Sequence, residues 1–313
     1  MRAATATRYL DCVGDLDRFV AHSGGSLADP HAADATLERY FESLFLGGEA
    51  KANARWCLYG LAWQRGWATK GGAFPLAKQA LKGWDRLQPP GSREPAVWEA
   101  VLAVADDLIG RDLQSTLAGA LLPVAFDGYF RPSEALGLRG ADVLRPARSG
   151  PQRLWAATVA PATQPVPSKT NTFDDTVFLG SAAKGQAFVG SILGVLLTRA
   201  GQDRLFGGLT LAQLEAAVKS ACCRLQLPVA FTPHALRHGG ASRDALEKFE
   251  DLRGIQRRGR WKARESVRRY EKAGTLLRVR SKFSQAFLSR SLCLGSALPR
   301  KLRAALRKFG RPC

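Results

Sequence analysis

The stretch TPHALRHGGAS, residues 232–242, places two of the chain's 4 histidines around one arginine. Thr232 followed by Pro233 predicts the start of a helix, with a hydroxyl at the N-cap and proline at the first helical position. His234 then lies in the first turn, and Arg237 follows three residues later on the same face. An imidazole and a guanidinium beside the positive end of a helix suit a phosphate group. A capped helix with a packed histidine and a surface arginine fits the same pattern.

A second pair of candidate residues follows an apolar segment. In YFRPSEALGLRGADV, Arg131 ends the nearly all-apolar run LQSTLAGALLPVAFDGYF, and Glu134 stands three residues later. An arginine at the end of so apolar a helix needs a partner, which Glu134 supplies. The pair alone also fits a buried ion pair that has no part in chemistry.

Two further stretches carry a lysine and a tyrosine. Lys169 lies in SKTNT, between two β-like segments, where a lysine is usually exposed and idle. In GRWKARESVRRY, Trp261 precedes Tyr270 by nine residues, and a lone tyrosine in a basic helix most often serves packing. Taken together, however, the residues describe phosphoryl transfer without a metal. Two arginines stabilise a pentavalent phosphate, a tyrosine oxygen attacks, and a lysine protonates the leaving oxygen.

The whole set resembles the active-site signature of the tyrosine recombinase (phage integrase) family. That signature is Arg-x-x-Glu after an apolar helix, lysine on a β-hairpin, His-x-x-Arg, then histidine or tryptophan, and tyrosine nine residues later. The matching residues, in chain order, are Arg131, Lys169, His234, Arg237, Trp261 and Tyr270. The segment GRWKARESVRRY is also similar to recombinases of eukaryotic mobile elements of the DIRS type.

The resemblance implies a role for each residue. Tyr270 forms a 3′-phosphotyrosyl link to DNA and releases a 5′-hydroxyl, while Arg131 and Arg237 clamp the phosphate. His234 is the base or hydrogen-bond donor, and Lys169 is the general acid. The bond energy is conserved, so the resemblance implies no ATP, no metal and no cofactor.

Trp261 supplies an indole N–H and packing. Two positions next to the candidate residues depart from the family pattern. Pro132 directly follows the first arginine, which costs little if Arg131 ends its helix. Arg260 stands before Trp261 where many members have glycine, and we expect it to add positive charge near DNA.

The pattern along the chain predicts a mainly α protein with a small antiparallel β-sheet. Three or four amphipathic helices over residues 1–88 resemble the family's helical core-binding (SAM-like) domain, and Asp34 is a candidate helix cap. Residues 89–95 form a Pro/Gly/Ser-rich linker. The catalytic domain is expected over 96–290, with a hairpin from RLWAATVAPA and FDDTVFLG. A basic tail is expected over 291–313.

Composition limits the partners. The chain of 313 residues has a net charge of +19, and the segment from Leu252 to Cys313 holds 19 Lys/Arg against the two acids Glu265 and Glu271. A polyanion partner accounts for this bias, because phosphate contacts release condensed counterions. A solvated basic tail would account for it too. No apolar run is long enough to span a bilayer, no secretory signal is visible, and no cysteine pair has CxxC spacing, so we expect an intracellular protein with reduced thiols.

The resulting hypothesis is a site-specific DNA recombinase or integrase, acting on double-stranded DNA as a homotetramer and located in the nucleus if the host is eukaryotic. One alternative is a catalytically silent or domesticated DNA-binding protein of the same fold. Another is a type IB topoisomerase, although the separate N-terminal helical domain and the Trp261 spacing favour a recombinase. A basic membrane-surface protein accounts for the tail but for none of the motifs.

Overall fold

The computed structural model describes residues 3–70, 72–88, 94–147, 154–162, 173–263, 267–268 and 271–309. The chain divides into two compact units, Met1–Ser92 and Arg93–Cys313. Helices dominate both units, and the second also contains a three-stranded antiparallel sheet. The predicted fold class, mainly α with a small antiparallel sheet, is confirmed. None of the described helices is both long enough and apolar enough to cross a membrane.

The first unit is a group of helices around its own apolar core. Its helices are α1 (Ala3–Ser23), α2 (Pro30–Leu46), α3 (Lys51–Arg65) and α4 (Pro75–Leu87). Apolar residues that recur every three or four positions in the sequence face inward, and Leu16, Leu37, Phe41 and Leu58 are among the side chains that are almost fully buried.

Asp34 has a different role from the one predicted. It lies inside α2, whose N-cap is Asp29, with a carboxylate that accepts two backbone N–H groups of the first turn. Asp34 is buried and accepts the backbone N–H groups of Leu76 and Ala77, each at 2.9 Å. It therefore caps the start of α4, about forty residues further along the chain, a pairing that local sequence signals cannot reveal.

The second unit is built on a buried central helix. Its helices are α5 (Trp98–Leu108), α6 (Leu113–Asp127), α7 (Pro132–Gly137), α8 (Ala187–Ala200), α9 (Leu211–Arg224), α10 (Pro233–Leu246), α11 (Leu252–Arg258), α12 (Ala273–Arg280) and α13 (Gln285–Phe309). Every residue of α6 from Thr116 to Asp127 is buried, as its apolar sequence predicts, because α5, α8, α9, α10 and α13 pack around it. The position of α6 fixes the start of α7, which carries the first candidate catalytic residue.

The sheet contains β1 (Val143–Leu144), β2 (Trp155–Val159) and β3 (Asp175–Leu179), in the order β1-β2-β3. β2 and β3 are antiparallel, with Trp155 opposite Leu179 and Val159 opposite Asp175. The predicted hairpin is therefore present. Lys169 lies in the connection between its strands, outside the described residues.

The C-terminal residues do not form a separate tail. Helix α13 continues without a break through residue 290, where the sequence places a boundary, and its buried face includes Leu288, Leu298 and Leu302. It packs against α5, α6 and α8. The prediction of a basic tail over 291–313 is wrong for residues 291–309, because the apolar stripe between the basic side chains is part of the core.

Candidate active site

Arg131, the first candidate arginine, lies between the end of α6 and the start of α7. Arg131 is the N-cap of α7, and Glu134 accepts its backbone N–H at 2.8 Å and a guanidinium N–H as well. The sequence-predicted Arg131–Glu134 pair is therefore present. Pro132 occupies the first helical position, where no backbone N–H is needed, so this departure from the family pattern leaves Arg131 in place.

The second candidate arginine is deeply buried. Arg237 lies one turn into α10, and its guanidinium donates to the backbone carbonyls of Tyr129 and Gly259. The same guanidinium lies 4.6 Å from the centre of the Trp261 ring, and its Nη1 is 3.8 Å from Oε2 of Glu134. Packing and hydrogen bonds thus fix the orientation of Arg237 from several sides, as a preorganised electrostatic clamp requires.

A third arginine, Arg260, shares the same carboxylate. Its Nη2 donates to Oε2 of Glu134 at 2.6 Å, and its Nη1 donates to the carbonyl of Arg258 at 3.0 Å. The side chain is only 3% exposed, so Arg260 lies inside the protein, and the expectation that it adds positive charge near DNA stays a prediction. Its φ of 55° is a left-handed conformation that glycine adopts at lower cost, which accounts physically for the glycine usual in the family pattern.

Glu134 is therefore the hub of the site. Burial alone would raise the pKa of Glu134, but the charges of Arg260 and Arg131 outweigh burial and hold that pKa below its usual value. The pKa of Arg260 is lowered, because burial disfavours its charged form. One largely buried carboxylate, 9% exposed, thus faces three guanidinium groups. The excess of positive charge suits an anionic ligand or transition state.

Helix α10 brings His234 to the same side as Arg237. Thr232 is the N-cap and Pro233 the first helical residue, as predicted, although the Thr232 hydroxyl makes no capping hydrogen bond. His234 is half-buried in the first turn and lies three residues before Arg237 on one helix face. The N-terminal end of this 14-residue helix adds the partial positive charge of its backbone N–H groups.

Trp261 belongs to a small apolar cluster beneath the arginines. The cluster contains Tyr129, Ala241, Ile255, Trp261 and Val267, and the Tyr129 and Trp261 ring centres are 6.3 Å apart. The Tyr129 hydroxyl donates to Oδ2 of Asp244 at 2.5 Å. Burial raises the pKa of this tyrosine far above its ordinary value, and the nearby Asp244 charge raises it further. Tyr129 is thus a supporting residue with a hydroxyl that is already engaged.

Sequence reasoning missed several residues that hold the site together. Asp244 also pairs with the buried Lys184, and Arg258 donates to Oδ1 of Asp127 at 2.6 Å. The carboxylate of Asp127 in turn accepts the backbone N–H of Gly180 at 2.7 Å. These contacts tie α6 to α11 and to the end of β3. Their partners are 53 to 131 residues apart in sequence, so no local spacing signals them.

The described residues thus bring together Arg131, Arg237 and Trp261, and α10 adds His234. The other two candidate residues, Lys169 and Tyr270, lie outside the described residues. Tyr270 falls between Val267, which is buried in the cluster beneath the arginines, and the start of α12 at Ala273.

Solved structures that match this chain include three structures of two recombinases. The XerH site-specific recombinase bound to palindromic difH substrate, in a post-cleavage complex, matches with a TM-score of 0.54 and 18% sequence identity, over 79% of this chain and 70% of that chain. XerH bound to difH in a pre-cleavage complex matches with a TM-score of 0.49 and 17% identity, over 82% and 72% of the two chains. The XerA recombinase matches with a TM-score of 0.43 and 15% identity, over 89% and 97%.

No protein-family model matches the sequence, and no curated protein matches it either. At 18% identity the likeness to the XerH post-cleavage complex concerns the fold. The chain has the fold of the tyrosine recombinases.

Proposed function

We propose that this protein is a site-specific DNA recombinase that breaks and rejoins double-stranded DNA through a 3′-phosphotyrosyl intermediate. The observation that carries the proposal is the largely buried carboxylate of Glu134, which contacts Arg131 and Arg260 and lies 3.8 Å from Arg237. Guanidinium groups fixed around one carboxylate suit the stabilisation of a transition state, whereas exposed and flexible charges are enough for DNA affinity alone.

The proposed chemistry gives each candidate residue a role. Arg131 and Arg237 stabilise the charge that develops on the non-bridging phosphate oxygens during attack. The Tyr270 oxygen attacks phosphorus, its proton passes to a base for which His234 is the candidate, and the bond to the 5′-oxygen breaks. Lys169 donates a proton to that leaving 5′-oxygen. The phosphotyrosyl bond conserves the energy of the broken phosphodiester, and attack by a 5′-hydroxyl reverses the sequence.

The assembly and location also belong to the proposal. Two strands at each of two DNA sites require four nucleophiles, which a homotetramer supplies. The first unit is the candidate core-binding domain, and the DIRS-type subgroup is a finer prediction based on GRWKARESVRRY. We expect the protein to act where its DNA lies, which is the nucleus in a eukaryotic host.

Trapping of covalent adducts tests this function. Full-length protein is incubated with a randomised duplex library that carries nicks, quenched with detergent, and assayed for DNA that stays attached to protein under denaturing conditions. We expect adducts with a free 5′-hydroxyl from the wild type and none from Tyr270→Phe, which loses one oxygen and no positive charge and so keeps its DNA affinity.

Tyr129→Phe is the matched control, because the Tyr129 hydroxyl is buried against Asp244 and is not expected to attack DNA. This variant should still form adducts. Adducts that persist in Tyr270→Phe but disappear in Tyr129→Phe would show that Tyr129, and not Tyr270, is the nucleophile. DNA binding by the wild type without any adducts would favour the catalytically silent alternative.

A further inference from the structure

A second group of arginines lines a cleft that is separate from the candidate active site. The cleft has a volume of about 1050 Å³ and lies between α8, the C-terminal half of α13 and the residues that follow β1. Its charged lining residues are Arg145, Arg199, Arg204, Arg303, Arg307 and Asp203. None of the candidate catalytic residues that the structure describes lines it.

The sheet register separates this cleft from the β2–β3 connection that carries Lys169. The guanidinium of Arg145 lies 6.0 Å from the centre of the Trp155 ring, at the first residue of β2. The connection to β3 leaves from Val159, at the other end of that strand. Four steps along a strand span about 13 Å, so Arg145 lies at the Trp155 end of β2 and away from Val159.

The five arginines of the cleft have no acidic partner among the described residues. All five are exposed, and none forms an ion pair with another described residue. Other basic residues in this unit do find partners, since Lys301 pairs with Asp106 at 2.8 Å and Arg224 pairs with Asp107.

Helix geometry keeps two of these charges together. Arg303 and Arg307 are four residues apart and so lie on one face of α13, whose neighbouring residues Leu302 and Leu306 are buried. Like charges at this spacing repel each other, by a few tenths of a kcal/mol per pair in an isolated helix. An anion bound between the two walls of the cleft removes that repulsion.

The uncharged lining indicates what kind of anion fits. The lining residues are small or aliphatic, namely Ser191, Gly194, Val195, Thr198, Ala200, Gly207 and Leu306, and no aromatic side chain is among those described. A nucleobase would find no stacking surface there. Guanidinium groups bind phosphate oxygens in a bidentate way, so the described lining suits phosphates.

We propose that this cleft is a binding site for closely spaced phosphates, remote from the candidate active site. The phosphates belong either to a DNA backbone that the protein holds outside the reacting segment or to a soluble polyphosphate. Phosphate binding in the cleft needs no covalent step at Tyr270, so this inference can be tested separately from the proposed recombinase function.

The first measurement uses inorganic tripolyphosphate and isothermal titration calorimetry on full-length protein. In the double variant Arg303→Ala/Arg307→Ala, affinity should fall by about tenfold or more for each arginine removed, as expected for charge-assisted hydrogen bonds. The matched control is Arg290→Ala/Arg300→Ala, which removes two exposed arginines of the same helix that do not line the cleft. The control should bind like the wild type.

A variant of the opposite wall tests whether the loss of affinity comes only from a disturbance of α13. Arg199→Ala/Arg204→Ala should reproduce the loss of tripolyphosphate affinity, because both walls contact the same anion. Equal affinities in the α13 variant and its control, whether both unchanged or both reduced, would overturn the proposal and leave only a general surface charge.

A second measurement identifies the source of the phosphates. Duplex DNA affinity is measured against salt concentration in a Tyr270→Phe background, so that no covalent adduct distorts binding. If the cleft holds DNA, the slope of log K against log salt should fall in magnitude by about 0.9 for each lost phosphate contact in Arg303→Ala/Arg307→Ala. An unchanged slope together with lost tripolyphosphate affinity would assign the cleft to a soluble polyphosphate, which also supports the site.

Discussion

Two groups of arginines in the second unit show opposite ways of using the same side chain. In the candidate active site, Arg237 and Arg260 are each 3% exposed, and both face the carboxylate of Glu134. In the cleft between α8 and α13, Arg303 and Arg307 are exposed and have no acidic partner among the described residues. The first group is fixed in one geometry, and the second keeps its rotamer freedom.

The difference follows from the cost of desolvation. A buried guanidinium is stable only with a carboxylate and carbonyl acceptors around it, and those contacts also fix its direction. An exposed guanidinium remains hydrated, pays no such cost, and contributes affinity that depends on salt. The buried group is therefore suited to stabilising one transition state, and the exposed group to holding an anion in place.

The largest expected effect concerns the two candidate catalytic arginines. Arg131→Ala and Arg237→Ala should each reduce the rate of adduct formation by about 10²- to 10³-fold, since each removes a donor aimed at developing charge. DNA affinity should change less, because many other phosphate contacts remain. Single-turnover rates at saturating DNA measure the first effect, and equilibrium binding measures the second. If the variants cleave bound DNA at the normal rate but lose much of their DNA affinity, the two arginines bind DNA and do not act in catalysis.

The next effect concerns the hub carboxylate. Glu134→Gln keeps the shape but removes the negative charge among three guanidinium groups, so the free energy of unfolding should fall by about 1.5–3 kcal/mol at pH 7. Urea unfolding measures this loss. Glu247→Gln is the matched control, because Glu247 pairs with Arg243 at an exposed position and should change stability by less than about 0.5 kcal/mol.

Acidification provides a further check on Glu134. Its pKa is lower in the folded protein than the value of about 4.3 expected in the unfolded chain, so its contribution to stability is present above that value and is lost as pH falls through the folded-state pKa. The stability difference between wild type and Glu134→Gln should therefore shrink on acidification below about pH 4. A difference that stays constant from pH 7 to pH 3 would show that charge at Glu134 is not what stabilises the site.

The smallest expected effect is the cost of the left-handed backbone conformation at Arg260, measured apart from the loss of its side-chain contacts. Arg260→Ala loses the contacts to Glu134 and the carbonyls while keeping the left-handed conformation, whereas Arg260→Gly loses the same contacts and relieves that conformation. Gly should therefore be more stable than Ala by about 1 kcal/mol. Equal unfolding free energies for the two variants would show that the backbone at this position carries no strain.

Much of this architecture could be predicted from local sequence. The apolar run before Arg131 predicted a buried helix, the Thr-Pro pair predicted the start of α10, and two β-like runs predicted a hairpin, because each signal depends on neighbours in the chain. The Arg131–Glu134 pair is also local, being three residues apart at the start of α7.

Other features depended on groups far apart in the chain. Asp34 caps α4 and not its own helix, and Arg260 is buried against Glu134, 126 residues away. The basic C-terminal residues are part of a core helix, because their apolar stripe meets α5 and α8. No spacing rule connects such partners, since their proximity is created only when the helices pack.

By itself, the sequence determined the order of the helices and strands, the set of residues that resembles a recombinase active site, and the excess of basic residues. Only the tertiary structure decided which arginines are buried around Glu134 and which line an open cleft. The physical reason is that the charge of an arginine is fixed by its chemistry, whereas its hydration and its partners are fixed by what packs against it.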